Sequence, residues 1–150
     1  MGNAKVCFLA GAMINRTDKY ADSYKYEWRK RAADYFNKYV DGITTSFPPE
    51  YFEHDTEYDC DGKETLRFDM RNIRESDIIL VNLKSLESSL SASDEIFYGY
   101  IAQKPVIGFL ENGSVEDIHP WKREQMDRIF FGKDSMKQAI QYIATYYDNK

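Results

Sequence analysis

Two acids that follow a run of hydroxyl residues form the part of the sequence best suited to chemistry. Residues 91–94 (SASD) have the S-x-x-D pattern of a capping box, which predicts a helix that begins at Ser91. Glu95 then lies in the first helical turn, where the helix dipole favours a negative charge. A carboxylate held there can attack an electrophilic carbon and form a covalent ester. A first-turn acid is also a common stabilising surface residue, and the spacing alone favours this second interpretation.

The serines around this helix start also allow two interpretations. Ser88, Ser89, Ser91 and Ser93 surround a predicted helix N-terminus, where backbone amides bind phosphate groups, so their hydroxyls could contact a phosphate or a sugar. They could equally be turn and capping residues, which the residue types alone favour.

Apolar runs that alternate with amphipathic segments predict the elements that position these residues. Strands are predicted at residues 5–10, 42–46, 77–83, 104–110 and 129–131, and helices at residues 23–40, 64–76, 91–103, 120–128 and 135–147. The alternation predicts one α/β domain over residues 1–150, with a flavodoxin- or Rossmann-like parallel sheet flanked by helices.

Ligands of such sheets bind at the carboxyl ends of the strands. Three predicted loops leave those ends, at residues 11–22, 84–91 and 111–119, and the hydroxyl run belongs to the second. A long loop is predicted at residues 47–63, and its acidic and aromatic part at residues 51–58 could fold over a ligand as a lid. A solvated surface loop explains this part at least as well.

Two charged residues on the predicted helices have ordinary explanations. Asp69 lies at the edge of an apolar stripe and is interpreted, on the residues alone, as a solvated helix residue. The stripe comprises Leu66, Met70 and Ile73. Arg29 follows Trp28 and is interpreted as a surface cation beside a packing residue.

The composition excludes several classes of function. The net charge of −5 argues against binding to a nucleic-acid polymer, which requires a basic face. No apolar run approaches the roughly 18 residues that span a membrane. Cys7 and Cys60 lack metal-ligand spacing and predict a reducing, cytoplasmic environment, and His54 and His119 are isolated. We therefore expect neither a metal nor a cofactor.

Three segments occur in an order that resembles a known enzyme family. They are residues 5–13 (KVCFLAGAM), 68–83 (FDMRNIRESDIILVNL) and 89–109 (SLSASDEIFYGYIAQKPVIGF). Their order is similar to that of the nucleoside 2-deoxyribosyltransferase family, including its nucleotide N-glycosidase branch. The resemblance extends from Lys5 to the last predicted helix.

The resemblance implies roles for individual residues. Glu95 matches the nucleophile that attacks C1′ of the sugar and displaces the base. Asp69 matches the acid that handles the base or its proton, and Tyr98 falls in the pattern E-[IL]-x-Y. Gly11 matches the close-approach glycine after the first strand, where Ala12 and Met13 continue into the sugar-binding loop.

Further positions bear on substrate choice or on a contact between subunits. Ser89 stands where transferases of free nucleosides often carry an Asp, and the nucleotide-hydrolysing branch has a Ser there that contacts the 5′-phosphate. That branch also carries a Ser and an Arg at the positions of Ala12 and Ile14, and Ser91 replaces a usual Gly. Asp127 loosely matches a polar position used across a subunit contact.

These matches imply N-glycosyl transfer on 2′-deoxyribonucleosides, or base exchange, through a covalent glycosyl-Glu95 intermediate. The alternative is hydrolysis of a nucleoside 5′-monophosphate to free base and sugar phosphate. A non-catalytic nucleotide-binding module is a further alternative, in which Glu95 only contacts a ribose hydroxyl. The implied partners are a small-molecule nucleoside or nucleotide and further copies of this chain in a homo-oligomer with shared sites.

Overall fold

The chain forms a five-stranded parallel sheet covered by helices on both faces. The computed structural model describes residues 4–12, 21–47 and 62–148. The strands are β1 (Lys5–Gly11), β2 (Ile43–Ser46), β3 (Ile78–Asn82), β4 (Val106–Leu110) and β5 (Arg128–Phe131). The helices are α1 (Ala21–Tyr39), α2 (Gly62–Glu75), α3 (Leu90–Ile101), α4 (Pro120–Arg123) and α5 (Ser135–Tyr147), with 3₁₀ turns at Leu86–Ser88 and Val115–Asp117.

The strand order is β2-β1-β3-β4-β5, which is the order of the flavodoxin-like doubly wound fold and confirms the predicted fold class. The direction of strand addition reverses between β1 and β3. Gly11 and Asn82 are register partners at the carboxyl ends of these two strands. In open α/β sheets the ligand crevice lies at such a reversal, so a ligand of this sheet is expected at this edge.

Alternate residues of the strands face two separate helix layers. In β1, Cys7 and Leu9 pack in the core formed with α1 and α5, whereas Phe8 and Ala10 pack in the core formed with α2 and α3. β3 and β4 are buried along their whole length. Burial on both faces explains why these strands are continuous apolar runs in the sequence.

The start of α3 differs from the predicted one. Ser89 is the N-cap, with an extended backbone, and its Oγ accepts a hydrogen bond from the Ala92 amide at 3.1 Å. The predicted capping box at residues 91–94 is therefore wrong, and the first turn carries no acid. Since α3 begins at Leu90, Glu95 lies in the second helical turn. At this position the Glu95 side chain points toward the sheet.

Gly99 sets how closely α3 lies on the sheet. A Cβ at this position would collide with side-chain atoms of Ile79 and Val106, so only glycine allows the observed approach. Glu95 precedes Gly99 by one helical turn and shares its face of α3. The depth of α3 therefore also sets the position of the Glu95 carboxyl.

One residue of the predicted apolar stripe on α2 is exposed. Leu66 is 54% exposed, so its inward-facing placement is wrong, whereas Ile73 is fully buried.

Candidate active site

Two carboxyl groups meet in the interior between α2 and α3. Asp69 is 8% exposed and Glu95 is 1% exposed, and a side-chain hydrogen bond joins them. Neither residue is the solvated surface acid that its helix position alone suggests. A hydrogen bond between two carboxyls requires a proton on one of them, so the two groups act as a pair.

Burial and mutual repulsion keep a proton on this pair. Burial raises the pKa of Glu95 well above the usual carboxyl range, and the charge and hydrogen bond of Asp69 raise it further. Burial also raises the pKa of Asp69, which the hydrogen bond from Glu95 partly offsets. The two carboxyls therefore titrate as a pair, and the pair keeps a proton to a higher pH than an isolated carboxyl does.

β1 contributes its last residues to the surroundings of Glu95. A hydrogen bond from the Gly11 backbone reaches the Glu95 carboxyl and lowers its pKa. A Cβ on Gly11 would lie 3.0 Å from Cζ2 of Trp28 and 3.3 Å from the Asn82 carbonyl oxygen. The end of β1 is thus enclosed on both sides, and a larger residue would displace it.

Arg29 of α1 supplies a positive charge to the site. It is fully buried, and its Nε and Nη2 donate to the carbonyls of Leu9 and Gly11 at 3.2 and 3.1 Å. Its charge lowers the pKa of both Asp69 and Glu95. The interpretation of Arg29 as a surface cation is therefore wrong.

The sequence did contain a signal for the burial of Arg29. Arg29, Ala32 and Phe36 follow the i, i+3, i+7 spacing of one helix face, and all three are fully buried. An arginine on an apolar helix face is a candidate for a paired interior charge, since cations are seldom buried alone.

Several polar atoms around the pair are buried without a hydrogen-bond partner among the described residues. They are Oδ1 of Asp69, Oε1 of Glu95 and Nε1 of Trp28. Buried polar atoms are normally satisfied, and those that are not cluster at functional sites. Each carboxyl thus keeps one oxygen that a substrate could engage.

The serines at the start of α3 lie at the carboxyl edge of β3. Ser89 is 8% exposed, and its Oγ lies 3.4 Å from that of the exposed Ser91. Ser89 accepts the Ala92 amide as N-cap, so its own hydroxyl hydrogen is free of that bond. Both serines stay candidates for substrate contact.

The other residues matched after β1 and on α3 are placed as follows. Ala12 is 2% exposed and directly follows the end of β1, and Tyr98 is partly buried against the α2–α3 core. Met13 lies outside the described residues. Their roles toward a substrate stay predictions.

Asp127 lies at the amino-terminal ends of the strands, whereas the acid pair lies near their carboxyl ends. Its amide donates to the Val106 carbonyl and its Oδ2 accepts from the Val106 amide, both at 2.8 Å. Asp77 makes the same two bonds with Val6, again both at 2.8 Å. Asp127 therefore joins the amino-terminal ends of β4 and β5 and does not join the acid pair of its own chain.

We expect Asp127→Ala to lower the free energy of unfolding by about 1–2 kcal/mol, because the Val106 amide loses its acceptor. Asp127→Asn keeps an acceptor oxygen and should cost less. Urea unfolding of both variants tests this, with Asp134→Ala as the control, since Asp134 is exposed and makes no side-chain cap bond. Equal stability of Asp127→Ala and wild type would contradict the structural role.

A cleft of about 410 Å³ opens at the carboxyl edge on the α1 side of the sheet. Trp28, Asn82 and Leu110 line it, together with Lys84 and Lys133. Asp69 and Glu95 do not line this cleft. It borders the site through Trp28, the residue next to Arg29.

The described part of the chain contains no group of three or more His, Cys, Asp or Glu residues placed to hold a metal ion. Within the same residues, no helix combines the length and apolarity needed to cross a membrane.

Comparison of the sequence with protein-family models and with curated proteins gave no match. Comparison of the structure with solved structures did find similar folds. A conserved protein from Enterococcus faecalis V583 aligns with a TM-score of 0.67 and 14% identity, over 93% of this chain and 98% of that one.

Two of the similar structures are of enzymes with a stated activity. A 2-deoxyribosyltransferase from Bacillus psychrosaccharolyticus aligns with a TM-score of 0.62 and 18% identity, over 83% of this chain and 85% of that one. A CMP N-glycosidase from Clostridium botulinum aligns with a TM-score of 0.61 and 12% identity, over 95% of this chain and 100% of that one. At these identities the likeness establishes a shared fold.

Proposed function

We propose that the chain transfers the 2-deoxyribosyl group of a 2′-deoxyribonucleoside to another base through an ester of Glu95. The observation that carries the proposal is the buried, hydrogen-bonded Asp69–Glu95 pair at the carboxyl edge where the strand order reverses. Glycosidic cleavage needs a carboxylate to trap the sugar cation and an acid to protonate the leaving group. The shared fold with a 2-deoxyribosyltransferase and a CMP N-glycosidase supports the same chemistry.

The first half-reaction uses the single proton of the pair. Glu95 passes its proton to Asp69 along the hydrogen bond that joins them. The Glu95 carboxylate then bonds to C1′ while the bond from C1′ to the base nitrogen breaks and Asp69 protonates that nitrogen. The products are a neutral base, a glycosyl ester of Glu95 and an ionised Asp69.

The second half-reaction reverses these steps with a new nucleophile. The N–H of an acceptor base attacks C1′, Asp69 takes its proton, and the ester bond to Glu95 breaks. The proton then returns from Asp69 to Glu95, which restores the starting pair. Water in place of the base gives hydrolysis by the same path.

Hydrolysis of a nucleoside 5′-monophosphate is the second candidate function, and Ser89 favours it. Its hydroxyl lies at the N-terminus of a twelve-residue helix, where amides and the helix dipole favour a phosphate. Its hydrogen is not used by the capping bond with Ala92. A carboxylate at this position would repel a phosphate, whereas a serine can donate to it.

Incubation with a panel of deoxynucleosides and their 5′-monophosphates, with and without an acceptor base, tests the two functions. Chromatography follows the release of free base and the appearance of a new nucleoside. A new nucleoside supports transfer, and free base from monophosphates alone supports hydrolysis. Tight binding without release from any substrate would instead indicate a nucleotide-binding module and overturn the proposal.

We expect kcat/KM to follow a bell-shaped curve against pH whose acidic limb lies above the ordinary carboxyl pKa of about 4. Because the pKa of Asp69 is raised, both acids stay protonated there and no nucleophile exists. Because the charge of one ionised carboxyl raises the pKa of the other, the second proton leaves the pair only at higher pH, and then no acid is available. Rates measured between pH 3 and 10 test this, and an acidic limb near or below 4 would contradict it.

We also propose that the chain forms a homo-oligomer through the outer face of α3. Leu90, Phe97 and Ile101 are 85%, 42% and 60% exposed and follow the i, i+7, i+11 spacing of one helix stripe. Two copies related by a two-fold axis would place Leu90 of one beside Ile101 of the other, with Phe97 between. Light scattering after gel filtration should give a mass above 17.6 kDa.

The variant Phe97→Lys should give the monomer mass, whereas Tyr146→Lys, on the distant helix α5, should not change the assembly. If the wild type is already a 17.6 kDa monomer at micromolar concentration, the proposed contact does not exist.

A further inference from the structure

We propose that the cleft beside Trp28 is a second binding site, which takes a small molecule through a phosphate or carboxylate group. The side-chain amide of Asn82 donates to an oxygen of this group, and Lys133 attracts its charge. The site is separate from the proposed reaction centre, because neither Asp69 nor Glu95 lines the cleft. Binding there is therefore measurable without any turnover.

Asn82 lies where the strand order reverses. It is the last residue of β3 and the register partner of Gly11 at the end of β1. Leu80, two residues earlier, packs in the core formed with α1 and α5, so Asn82 faces the same side of the sheet. The acid pair lies on the other side, between α2 and α3. Ligands of open α/β sheets bind at such a reversal, and here polar side chains lie on both faces of it.

One end of the Asn82 amide is bonded within the chain and the other end is not. Its Oδ1 accepts a hydrogen bond from the Lys84 amide at 3.0 Å. An N–H bonds only to an acceptor, so this contact fixes which end of the planar amide is the oxygen and directs Nδ2 away from the turn. Among the described residues, Nδ2 donates to no acceptor.

The burial of Asn82 gives its unpaired donor a meaning. The residue is 4% exposed, and it lines the cleft. Buried polar side chains are normally hydrogen-bonded, and asparagine is depleted in strands. A donor of this kind is satisfied by a ligand or by water, and an oxygen that carries negative charge gives the stronger bond.

Lys133 brings a positive charge to the same cleft. It follows Gly132, whose amide donates to the Leu110 carbonyl at 3.0 Å, so the chain after β5 is held against the end of β4. Lys133 is exposed, and within the described residues it forms no ion pair. A flexible ammonium group binds phosphate and carboxylate as a point charge. Lys84 is the other lysine of the lining.

The two acids that line the cleft differ in how they are paired. Glu111 accepts from both terminal nitrogens of Arg31, at 3.3 and 3.0 Å. Glu27 is exposed and forms no ion pair in the described part of the chain, so it repels an anion in the cleft. Neutralising Glu27 and neutralising Lys133 should therefore change the affinity in opposite directions.

The cleft has room for more than the anionic group. Its volume of about 410 Å³ falls within the range of sites that hold small organic molecules. Trp28, Leu110 and Asn112 belong to its lining and offer apolar and polar contacts to the rest of such a molecule. The phosphate or carboxylate is thus one group of a larger ligand.

Inorganic phosphate and acetate are the probes for the first test, with sodium chloride at equal ionic strength as the control. NMR of ¹⁵N-labelled protein follows the side-chain NH₂ signal of Asn82, which Asn82→Ser identifies by its loss. We expect a saturable shift of this signal, and the probe that binds more tightly identifies the anionic group. No saturable shift with either probe would overturn the proposal, since water alone then satisfies the amide.

Asn82→Ser also tests the donor itself. It removes the NH₂ without adding a charge, and the hydroxyl oxygen can still accept from the Lys84 amide. Fluorescence gives the Kd in a Trp121→Phe background, where Trp28 is the only tryptophan. We expect the Kd to rise about tenfold or more, as is typical for loss of a hydrogen bond to a charged group. An unchanged Kd would refute the role of Asn82.

Charge variants test the contact with Lys133 and do not depend on any change at Asn82. Lys133→Gln should raise the Kd roughly two- to fivefold, and Glu27→Gln should lower it by a similar factor. Lys137→Gln is the matched control, since Lys137 is exposed on α5 and does not line the cleft. Equal effects of the two lysine variants would show general attraction to positive charge and would refute the site.

Phosphate has a second candidate site at the start of α3, where Ser89 belongs to the proposed function. Ser89→Ala separates the two sites, because it should leave the phosphate-induced shift of Asn82 unchanged. Loss of that shift in Ser89→Ala would assign the phosphate to α3 and overturn the second site. If the wild type releases no base from any nucleoside, the proposed function fails, and these titrations still decide whether the cleft binds an anion.

Discussion

Glu95→Gln should abolish turnover and at the same time stabilise the protein. The amide cannot form the glycosyl ester, so base release should fall by more than about a thousandfold, toward the upper range for a positioned acid–base group. The amide also has no charge to bury at a site that is 1% exposed. We expect a gain of about 1 kcal/mol, or roughly 2–4 °C in Tm for a chain of this size.

The gain in stability should depend on pH in a defined direction. Because the folded-state pKa of Glu95 lies above its unfolded value, the folded wild type binds more protons than the unfolded chain in that range. Its unfolding free energy therefore falls as pH rises from about 4 toward the raised pKa. Glu95→Gln lacks this decrease, so its advantage should widen over the same interval.

Thermal unfolding at pH 4 and pH 7 measures both effects, with Asp94→Asn as the control. Asp94 is the neighbouring acid on α3 but is exposed, so its neutralisation should change neither activity nor the pH dependence. If Glu95→Gln keeps more than a tenth of the wild-type rate, Glu95 is not the nucleophile.

Asp69→Asn should slow base release by about a hundredfold to ten-thousandfold, the usual contribution of a positioned general acid. The loss should depend on the leaving group. A nitrophenyl 2-deoxyriboside, whose leaving group departs without a proton, should lose much less rate. Comparison of the two substrates in one assay separates a proton donor from a residue that only shapes the pocket.

The same substitution should also change the titration of Glu95. The charge and hydrogen bond of Asp69 raise the pKa of Glu95, so Asp69→Asn should let Glu95 ionise at lower pH. The ionisation of Glu95, followed by NMR of its carboxyl carbon, should therefore move to lower pH in Asp69→Asn. An equal loss of rate for both substrates, with no shift in the Glu95 ionisation, would contradict the assignment of Asp69 as the acid.

The fold was predictable because each strand carries its own signal. β3 and β4 are almost entirely apolar, as is typical of parallel strands buried on both faces, and the amphipathic segments before, between and after them match α2, α3 and α5. The alternation then leaves few topologies, since parallel crossovers are right-handed and short. The order of the strands depends on which faces of distant helices and strands pack together. No local sequence pattern contains this information.

The site was predictable only in part, because its chemistry depends on side chains that meet from distant segments. Local patterns gave Asp69 and Glu95 ordinary surface explanations, and the order of three segments was needed to favour a catalytic role. The true N-cap at Ser89 was missed because residues 91–94 also fit a capping box. Arg29 was missed because its neighbour Trp28 offered a packing explanation, although the spacing to Ala32 and Phe36 indicated an inward face.

The central place of β1 in the sheet determines when the site can exist during synthesis. β1 lies between β2 and β3, and its register partners in β3 begin at Ile78. Until that segment leaves the ribosome, one edge of β1 has no partner, and exposed strand edges of nascent chains can pair wrongly. Arg29 needs only β1 and α1 to reach its two carbonyls, so the cation can be in place before either acid arrives. Arg29 and the two carbonyls that it binds thus precede both acids in the chain, so the segments that hold the cation are synthesised before α2 and α3.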